Sequence, residues 1–200
     1  KTPFTEQNRE AKELSSLVTK WLKKLSMGNF VFDATVTGTA TPGPFGTDEI
    51  FFSISQYRGA SKQKINQSAS GGELSRIMLA ITMALSKLAR TPTIIFDEID
   101  AGIGGNAADS VGEVLKQLGM EQQIFCITHL PQIAARGENH FSIRKISENG
   151  KIPVTEIRYL NSQDRVDEIA RMLGNEFSKK TSIQHATSLL LTHGQNIVNL

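Results

Sequence analysis

Cysteine is almost absent from this sequence of 200 residues, which contains only Cys126. A disulfide within the chain is therefore excluded. Cys126 lies in the apolar segment Ile124–Ile127, where a buried thiol in a reducing compartment is expected. No stretch is apolar over a length that could cross a bilayer, and no signal peptide opens the sequence. Together these absences predict a cytoplasmic protein.

The sequence also lacks a large excess of charge of either sign. The sequence has 22 Lys and Arg against 20 Asp and Glu, and this net charge of +2 does not by itself indicate a nucleic-acid partner. Its 39% hydrophobic and 21% charged residues are ordinary for one globular domain. Because the first residue is Lys1 rather than a methionine, we expect a part of a longer protein.

The most informative absence is a phosphate-binding loop. Nowhere does the sequence match G-x-x-x-x-G-K-[ST], whose backbone N–H groups and lysine hold the phosphates of a nucleotide. Two other segments are nevertheless typical of nucleotide hydrolysis, namely Ser-Gly-Gly-Glu-Leu-Ser-Arg at Ser70–Arg76 and Thr-Ile-Ile-Phe-Asp-Glu-Ile-Asp at Thr93–Asp100. A site with metal-binding carboxylates and no phosphate loop has to be completed by another polypeptide.

The first part of the chain predicts a helix followed by a hairpin. Apolar residues with helical spacing indicate an amphipathic helix over residues 5–27, ended by Gly28 and Asn29. This helix suits either a surface helix or the last turns of a coiled coil. Residues 30–37 and 50–57 are strand candidates separated by a break at residues 41–44, and residues 58–68 are polar and predict a loop.

From Ser70 onward helices and strands alternate. Continuous apolar strands joined by a helix predict a parallel sheet covered on both faces. A terminal hairpin around Glu148–Gly150 and two closing helices complete the prediction. The predicted elements are helices at 74–88, 107–118, 163–173 and 178–193, buried strands at 93–96 and 123–128, and hairpin strands at 141–145 and 154–159.

Two carboxylates follow the first apolar strand. Asp97 and Glu98 should emerge at its carboxyl end, where open α/β sheets bind ligands. Neighbouring residues point in different directions, so one carboxylate could hold Mg²⁺ and the other could polarise an attacking water. The alternative is that these acids cap the next turn or pair with surface lysines.

A serine and two glycines precede the predicted helix at residue 74. Ser70 and Glu73 match the capping box S-x-x-E, which is a purely structural explanation. The same serine, with Gly71 and Gly72 and the unpaired N–H groups of a helix N-terminus, also forms an anion site suited to a terminal phosphate. Both interpretations can hold together.

One histidine ends the second apolar strand. If the two strands are neighbours, His129 should emerge beside Asp97 and Glu98. Such convergence of polar groups indicates a functional site, whereas a lone histidine at a strand end is more often structural. The other histidines, His140, His185 and His193, are interpreted as structural.

A glycine-rich segment supports a competing hypothesis. Residues Gly102–Ala107 fit G-x-G-x-x-[GA] before a helix, so a dinucleotide-binding oxidoreductase is an alternative. The carboxylates at Asp97, Glu98 and Asp100 oppose it, because they would lie beside a pyrophosphate without a metal. The next strand also ends in Thr128 and His129 instead of an acidic partner for the ribose.

The order of these motifs resembles that of ABC-type ATPases, in the variant of the SMC-like chromosome-maintenance proteins. Ser70–Arg76 resembles the signature motif and Thr93–Glu98 resembles Walker B. Ile99–Gly105 resembles the D-loop, and Cys126–His129 resembles the segment of the switch histidine. Residues 97–105 and 128–135 are especially similar to the SMC-like ATPases of DNA double-strand-break repair.

The resemblance implies a fold and a set of roles. The fold would be the carboxy-terminal lobe of an ABC/SMC-type ATPase head, with a parallel sheet core covered by helices, a coiled-coil stub helix and peripheral hairpins. Residues 1–27 would end the coiled-coil arm and residues 28–200 would form the head lobe. Asp97 would support Mg²⁺, Glu98 would be the general base, and His129 would contact the γ-phosphate on its own head.

Partners also follow from the resemblance. Two heads would sandwich ATP, with Ser70, Gly71 and Gly72 touching the γ-phosphate on the opposing head and Asp100 near the dimer seam. The amino-terminal half of the head would supply Walker A, and the full protein would act on double-stranded DNA in recombinational repair. The chain alone would hydrolyse no ATP. An ABC-type ATPase half serving another process stays open as a second alternative.

Overall fold

A computed structural model describes residues 3–44, 46–57, 59–65, 69–86, 88, 91–147, 153–174 and 179–194. The chain forms two compact units, Lys1–Ile127 and Thr128–Leu200. Our division into an arm at residues 1–27 and a head lobe at residues 28–200 follows expected function rather than compactness, and it stays a prediction. In the part of the chain that is described, no helix combines the length and apolar character needed to cross a membrane.

The first unit carries three helices and five strands among its described residues. In chain order they are α1 (Pro3–Lys24), β1 (Val31–Gly43), β2 (Gly46–Ser55), β3 (Gln63–Lys64), α2 (Gly71–Leu85), β4 (Thr93–Phe96), α3 (Gly105–Gly119) and β5 (Gln123–Cys126).

Helix α1 is confirmed, and its apolar stripe packs against the rest of the unit. Val18, Leu22 and Leu25 are fully buried. The helix ends earlier than predicted: Ser26 adopts a left-handed φ of 60°, and the Met27 N–H donates to the Leu22 carbonyl at 2.9 Å. These contacts form a Schellman motif, in which a left-handed residue closes the helix. The prediction that Gly28 and Asn29 end the helix is therefore wrong.

The predicted hairpin is confirmed, but it is longer than expected. Strands β1 and β2 pair antiparallel from Val31 opposite Ser55 to Gly43 opposite Gly46. The break predicted at residues 41–44 is confirmed only at its end, because β1 continues to Gly43 with a shift in register after Gly38 and the hairpin then turns between Gly43 and Gly46. The short strand β3 pairs with β2 inside the predicted loop at 58–68, part of which lies outside the described residues.

The two apolar strands are parallel neighbours, as predicted. Strand β4 pairs with β5 from Thr93 opposite Gln123 to Phe96 opposite Cys126. The expectation that both strands are buried is wrong for one face, where Ile95 is 67% exposed and Phe125 is 45% exposed. This sheet has only two strands among the described residues, and the exposure of these two side chains shows that no described element covers that face.

The second unit contains a hairpin and three helices among its described residues. They are α4 (Pro131–Ala134), β6 (Phe141–Ile146), β7 (Val154–Tyr159), α5 (Ser162–Met172) and α6 (Lys179–Thr192). The predicted hairpin and closing helices are confirmed, while the turn at Glu148–Gly150 and the predicted helix start at Ser178 lie outside the described residues. The core of this unit consists of Ala135, Val166, Ile169, Ala186 and Leu190.

Candidate active site

Helix α2 begins with the predicted capping box. Ser70 is the N-cap in extended conformation, and its hydroxyl accepts from the Glu73 N–H at 3.4 Å. In return the Ser70 N–H donates to Glu73 Oε2 at 2.9 Å. The structural explanation of the Ser70–Glu73 spacing is thus confirmed. The first-turn N–H groups of such a helix have no intrahelical acceptor and point toward its N-terminal end.

Both glycines of this segment lie against the turn that follows β4. A Cβ atom added at Gly72 would lie 2.7 Å from the Ala101 carbonyl oxygen and 3.1 Å from that of Glu98. A Cβ at Gly71 would lie 2.6 Å from Glu98 Oε2. The signature-like segment and the Walker B-like segment therefore pack directly on each other, and at Gly72, where the neighbouring atoms belong to the backbone and to a Cβ, only glycine permits that approach.

The turn at residues 97–101 holds Glu98 in an unusual backbone conformation. Glu98 has a φ of 55°, in the left-handed region that side chains other than glycine and asparagine rarely adopt. The Glu98 N–H donates to Asp97 Oδ1 at 2.9 Å, and the Ala101 N–H donates to the Glu98 carbonyl at 3.0 Å. Strain of this kind occurs most often at functional sites, where the surrounding structure maintains it.

The exposed acids suit a magnesium–nucleotide complex. Asp97 and Glu98 are both solvent exposed, and no cluster of three or more metal-ligating side chains occurs among the described residues. Mg²⁺ in nucleotide sites usually takes one or two carboxylates, several waters and the phosphates of the substrate. The Asp97 carboxylate fits that donor set, whereas by itself it would not make a site for a metal without nucleotide.

The third acid of the turn is buried. Asp100 is only 3% exposed, and its negative charge acts on Cys126 at the end of β5. Burial chiefly, and then the charges of Asp100 and Asp97, raise the pKa of the Cys126 thiol to about 12. Cys126 is accordingly a protonated, half-buried free thiol. Asp97 and Asp100 thus lie close enough to the carboxyl end of β5 to act on Cys126.

The predicted approach of His129 to these acids depends on that strand edge. Phe96 and Cys126 are paired, and the Ile127 N–H donates to the Phe96 carbonyl at 2.9 Å. The chain toward His129 therefore leaves the sheet at the same edge as Asp97. His129 itself belongs to the second unit, and its place beside Asp97 and Glu98 stays a prediction.

Two functional candidates escaped the sequence analysis. The Ser75 hydroxyl donates to the Asp97 carbonyl at 2.8 Å, and the Arg76 guanidinium donates to the Ile99 and Ala101 carbonyls at 3.1 and 3.0 Å. The sequence did contain a signal for Arg76, because its spacing places it on the same helix face as Gly72 and Leu79, which are buried. A charged residue on a buried face requires a specific partner.

The glycines at the start of α3 do not form a dinucleotide fingerprint. In that fingerprint the first glycine makes the tight turn directly after a strand. Here β4 ends at Phe96, and the whole turn at residues 97–101 separates it from Gly102. Gly102 and Gly105 have φ values of 72° and 51°, so they are needed for the turns that lead into α3.

Comparison with known proteins agrees with this geometry. Residues 12–152 match the family described as the RecF/RecN/SMC N terminal domain. The chain belongs to the RecF/RecN/SMC family. Within this family it is 40% identical over 186 residues to the DNA repair protein RecN of Xylella fastidiosa, covering 92% of this chain and 33% of that relative. It is 38% identical over 184 residues to RecN of Deinococcus radiodurans, covering 92% and 32%.

These matches confirm the resemblance to SMC-like repair proteins. The chain spans about a third of the length of the curated RecN relatives that it matches. The structure of an SMC head domain with a coiled coil and joint from Pyrococcus yayanosii is similar at a TM-score of 0.60 and 19% identity, covering 83% of this chain and 30% of that one.

A second solved structure extends the same likeness. It comes from work on ATP-driven dimerization and DNA stimulated activation of SMC ATPases, and it is similar at a TM-score of 0.51 and 21% identity. The match covers 84% of this chain and 96% of that one. The fold is thus the mixed α/β fold of SMC head domains, and the predicted fold class is confirmed.

Proposed function

We propose that this chain is the carboxy-terminal half of an ATP-hydrolysing head in an SMC-like protein of recombinational DNA repair. The observation that carries the proposal is the direct packing of Gly71 and Gly72 against the turn that bears Asp97 and Glu98. Family membership and the RecN relatives, whose name describes DNA repair, favour this process over an ABC-type ATPase of another process.

The head is completed by a polypeptide with a phosphate loop. Support comes from the apolar face of the β4–β5 sheet, where Ile95, Phe125 and Ile127 are 67%, 45% and 51% exposed. Strands of parallel sheets are normally covered on both faces. An amino-terminal half that added strands and the phosphate loop would bury these side chains and would bring the loop to the carboxyl edge of β4.

Each site residue then has a distinct task. Glu98 accepts a proton from the attacking water, as a general base must. Ser70, Gly71 and Gly72 bind the γ-phosphate on the opposing head through the hydroxyl and the N-terminal N–H groups of α2. His129 contacts the γ-phosphate on its own head, and Asp100 lies at the dimer seam.

Asp97 holds the magnesium ion. The ion would supply positive charge beside the phosphate oxygens of bound ATP. The Asp97 side chain is suited to this task because Oδ1 accepts the Glu98 N–H, which holds one carboxylate oxygen against the backbone of the turn. The carboxylate is exposed, so it can bind the ion through water.

ATP binding drives two heads together, and the cycle of engagement regulates how double-stranded DNA is held during repair. A homodimer through ATP-sandwiched heads, a cytoplasmic location and association with the nucleoid belong to this proposal. One similar solved structure comes from work on ATP-driven dimerization of SMC ATPases. Another is an SMC head bound to the winged-helix domain of ScpA.

The test compares Ser70→Arg with Glu98→Gln in the complete protein. Ser70→Arg places a bulky cation where the opposing head must approach, so ATP binding should persist while ATP-induced dimerisation is lost. Glu98→Gln keeps size and hydrogen bonding but removes the base, so dimers should persist while turnover falls by roughly 10²–10⁴-fold. Sizing with ATP and Mg²⁺, together with nucleotide binding, measures both effects.

A matched control is Asn161→Arg. Asn161 is the N-cap of α5, where its side chain accepts from the Asp164 N–H at 2.9 Å. This change also removes a cap and adds an arginine at a helix start, but it lies outside the proposed site and should leave dimerisation intact. Normal dimerisation of Ser70→Arg, or parental turnover of Glu98→Gln, would contradict the proposal.

A further inference from the structure

One buried cation joins the signature-like helix to the acidic turn. Arg76 on α2 is only 6% exposed, a degree of burial that arginine rarely reaches without specific partners. Its Nη1 donates to two backbone carbonyls, those of Ile99 at 3.1 Å and Ala101 at 3.0 Å. These two carbonyls flank Asp100, so the guanidinium fixes the backbone on both sides of that residue.

The contacts along this turn follow a regular pattern. The Ser75 hydroxyl donates to the Asp97 carbonyl at 2.8 Å, and Arg76 donates to the carbonyls two and four residues later. Carbonyls at residues 97, 99 and 101 therefore all accept from α2. The side chains that alternate with these carbonyls are those of Glu98 and Asp100. Because the three hydrogen bonds are made to the backbone, they orient these two side chains without bonding to the carboxylates.

The charge of the guanidinium also matters for this contact. Burial lowers the pKa of the Arg76 side chain, while the carboxylates of Glu73 and Asp100 raise it. Arginine keeps its proton even in buried sites. Hydrogen bonds from a charged donor to backbone carbonyls in a poorly solvated position are stronger than neutral ones, which suits a contact that must maintain the strained Glu98 backbone with its φ of 55°.

We propose that Arg76 is a positioning residue, which holds the Asp97–Ala101 turn on helix α2 so that the phosphate-binding start of the helix and the general base move as one unit. This inference rests on the proposed function, because it takes Glu98 as the base. Arg76 acts through the carbonyls of Ile99 and Ala101 and does not touch nucleotide. Its loss should therefore affect turnover and leave ATP affinity unchanged.

The experiment uses the complete head, which joins this chain to the part with the phosphate loop. Arg76→Gln removes the charge and shortens the side chain, so the bonds from Nη1 to the two carbonyls are lost. Displacement of the base by about 1 Å should then lower kcat up to about 100-fold. Arg76→Lys restores the charge with a single donor group and should recover part of kcat. ATP affinity and KM should match the parent in both variants. Turnover is expressed per folded head, at a temperature well below the melting point of each variant.

Two controls separate the outcomes. Arg9→Gln removes an arginine that is exposed on α1 and pairs with Glu6 and Glu10, and it should leave kcat unchanged. Glu98→Gln reports on the proposed function itself. If Glu98→Gln is inactive and Arg76→Gln turns over at the parental rate, the role of Arg76 is refuted while the proposed function stands.

Other results with the Glu98 and Arg76 variants also test the positioning role of Arg76. Parental turnover of Glu98→Gln would overturn the proposed function, and the role of Arg76 with it. If Arg76→Gln does not fold, Arg76→Lys decides, because a purely structural role predicts parental kcat per folded head. A rise in KM equal to the fall in kcat/KM, with kcat unchanged, would place Arg76 in ATP binding and refute the positioning role.

Discussion

Replacing Gly72 by alanine should separate α2 from the acidic turn. The new Cβ would lie 2.7 Å from the Ala101 carbonyl oxygen, 2.9 Å from the Ala101 Cβ and 3.1 Å from the Glu98 carbonyl oxygen. None of these atoms is the end of a flexible side chain, so the helix and the turn themselves have to move apart. Overpacking of this kind costs about 1–3 kcal/mol.

Two further effects modify that cost. Alanine is favoured over glycine inside a helix by about 0.5–1 kcal/mol. In the opposite direction, the hydrogen bonds from Ser75 and Arg76 to the turn lengthen, and each contributes about 0.5–1.5 kcal/mol. We expect a net loss of about 1–3 kcal/mol in the free energy of unfolding. At about 2–4 °C per kcal/mol, the melting temperature should fall by roughly 2–12 °C.

The assay can isolate the unit in which the change lies. Trp21 is the single tryptophan of the chain and lies on α1, which packs against α2, so its fluorescence during urea unfolding reports on the first unit. Gly119→Ala is the matched control, because a Cβ there meets nothing within 4 Å. A Gly72→Ala variant as stable as Gly119→Ala would refute the close packing of α2 on the turn.

Two other predictions concern stability alone. Ser26→Gly should raise the free energy of unfolding by about 1 kcal/mol, because glycine adopts the left-handed φ of 60° at the end of α1 without strain; unchanged Trp21-detected unfolding would contradict this. Burial chiefly, and then the charge of Arg165, lower the pKa of His140. The neutral imidazole therefore stabilises the fold above the unfolded pKa of about 6.5, and this contribution is lost as the pH falls below it. Urea unfolding followed by circular dichroism should show a weaker acid loss in His140→Gln, and an identical pH profile would refute the assignment.

Local patterns made the start of α2 predictable from the sequence. A capping box needs only Ser70 and Glu73 at the correct spacing, and its bonds lie within one helical turn. The parallel pairing of β4 with β5 was also predictable, because two apolar runs joined by a helix favour that arrangement. These features depend on interactions close in sequence or on general rules of topology.

The remaining features depend on contacts that local patterns do not contain. The left-handed φ of Glu98 occurs in a turn that packs against α2, and that contact involves residues more than twenty positions apart. Strand pairing of Gln63 and Lys64 with β2 is likewise a tertiary effect that overrides polar composition. The exposure of Ile95 was missed because the apolar composition of a strand does not reveal how many elements cover it.

The most direct test of the half-site account is steady-state ATP turnover with Mg²⁺, measured for this chain alone and for the chain joined to the phosphate-loop half of the head. We predict no turnover by the chain alone, because Asp97 and Glu98 lack a bound phosphate to act on. We predict turnover by the joined head, which Glu98→Gln should lower by roughly 10²–10⁴-fold. Mg²⁺-dependent hydrolysis by the chain alone that disappears with Glu98→Gln would contradict the account.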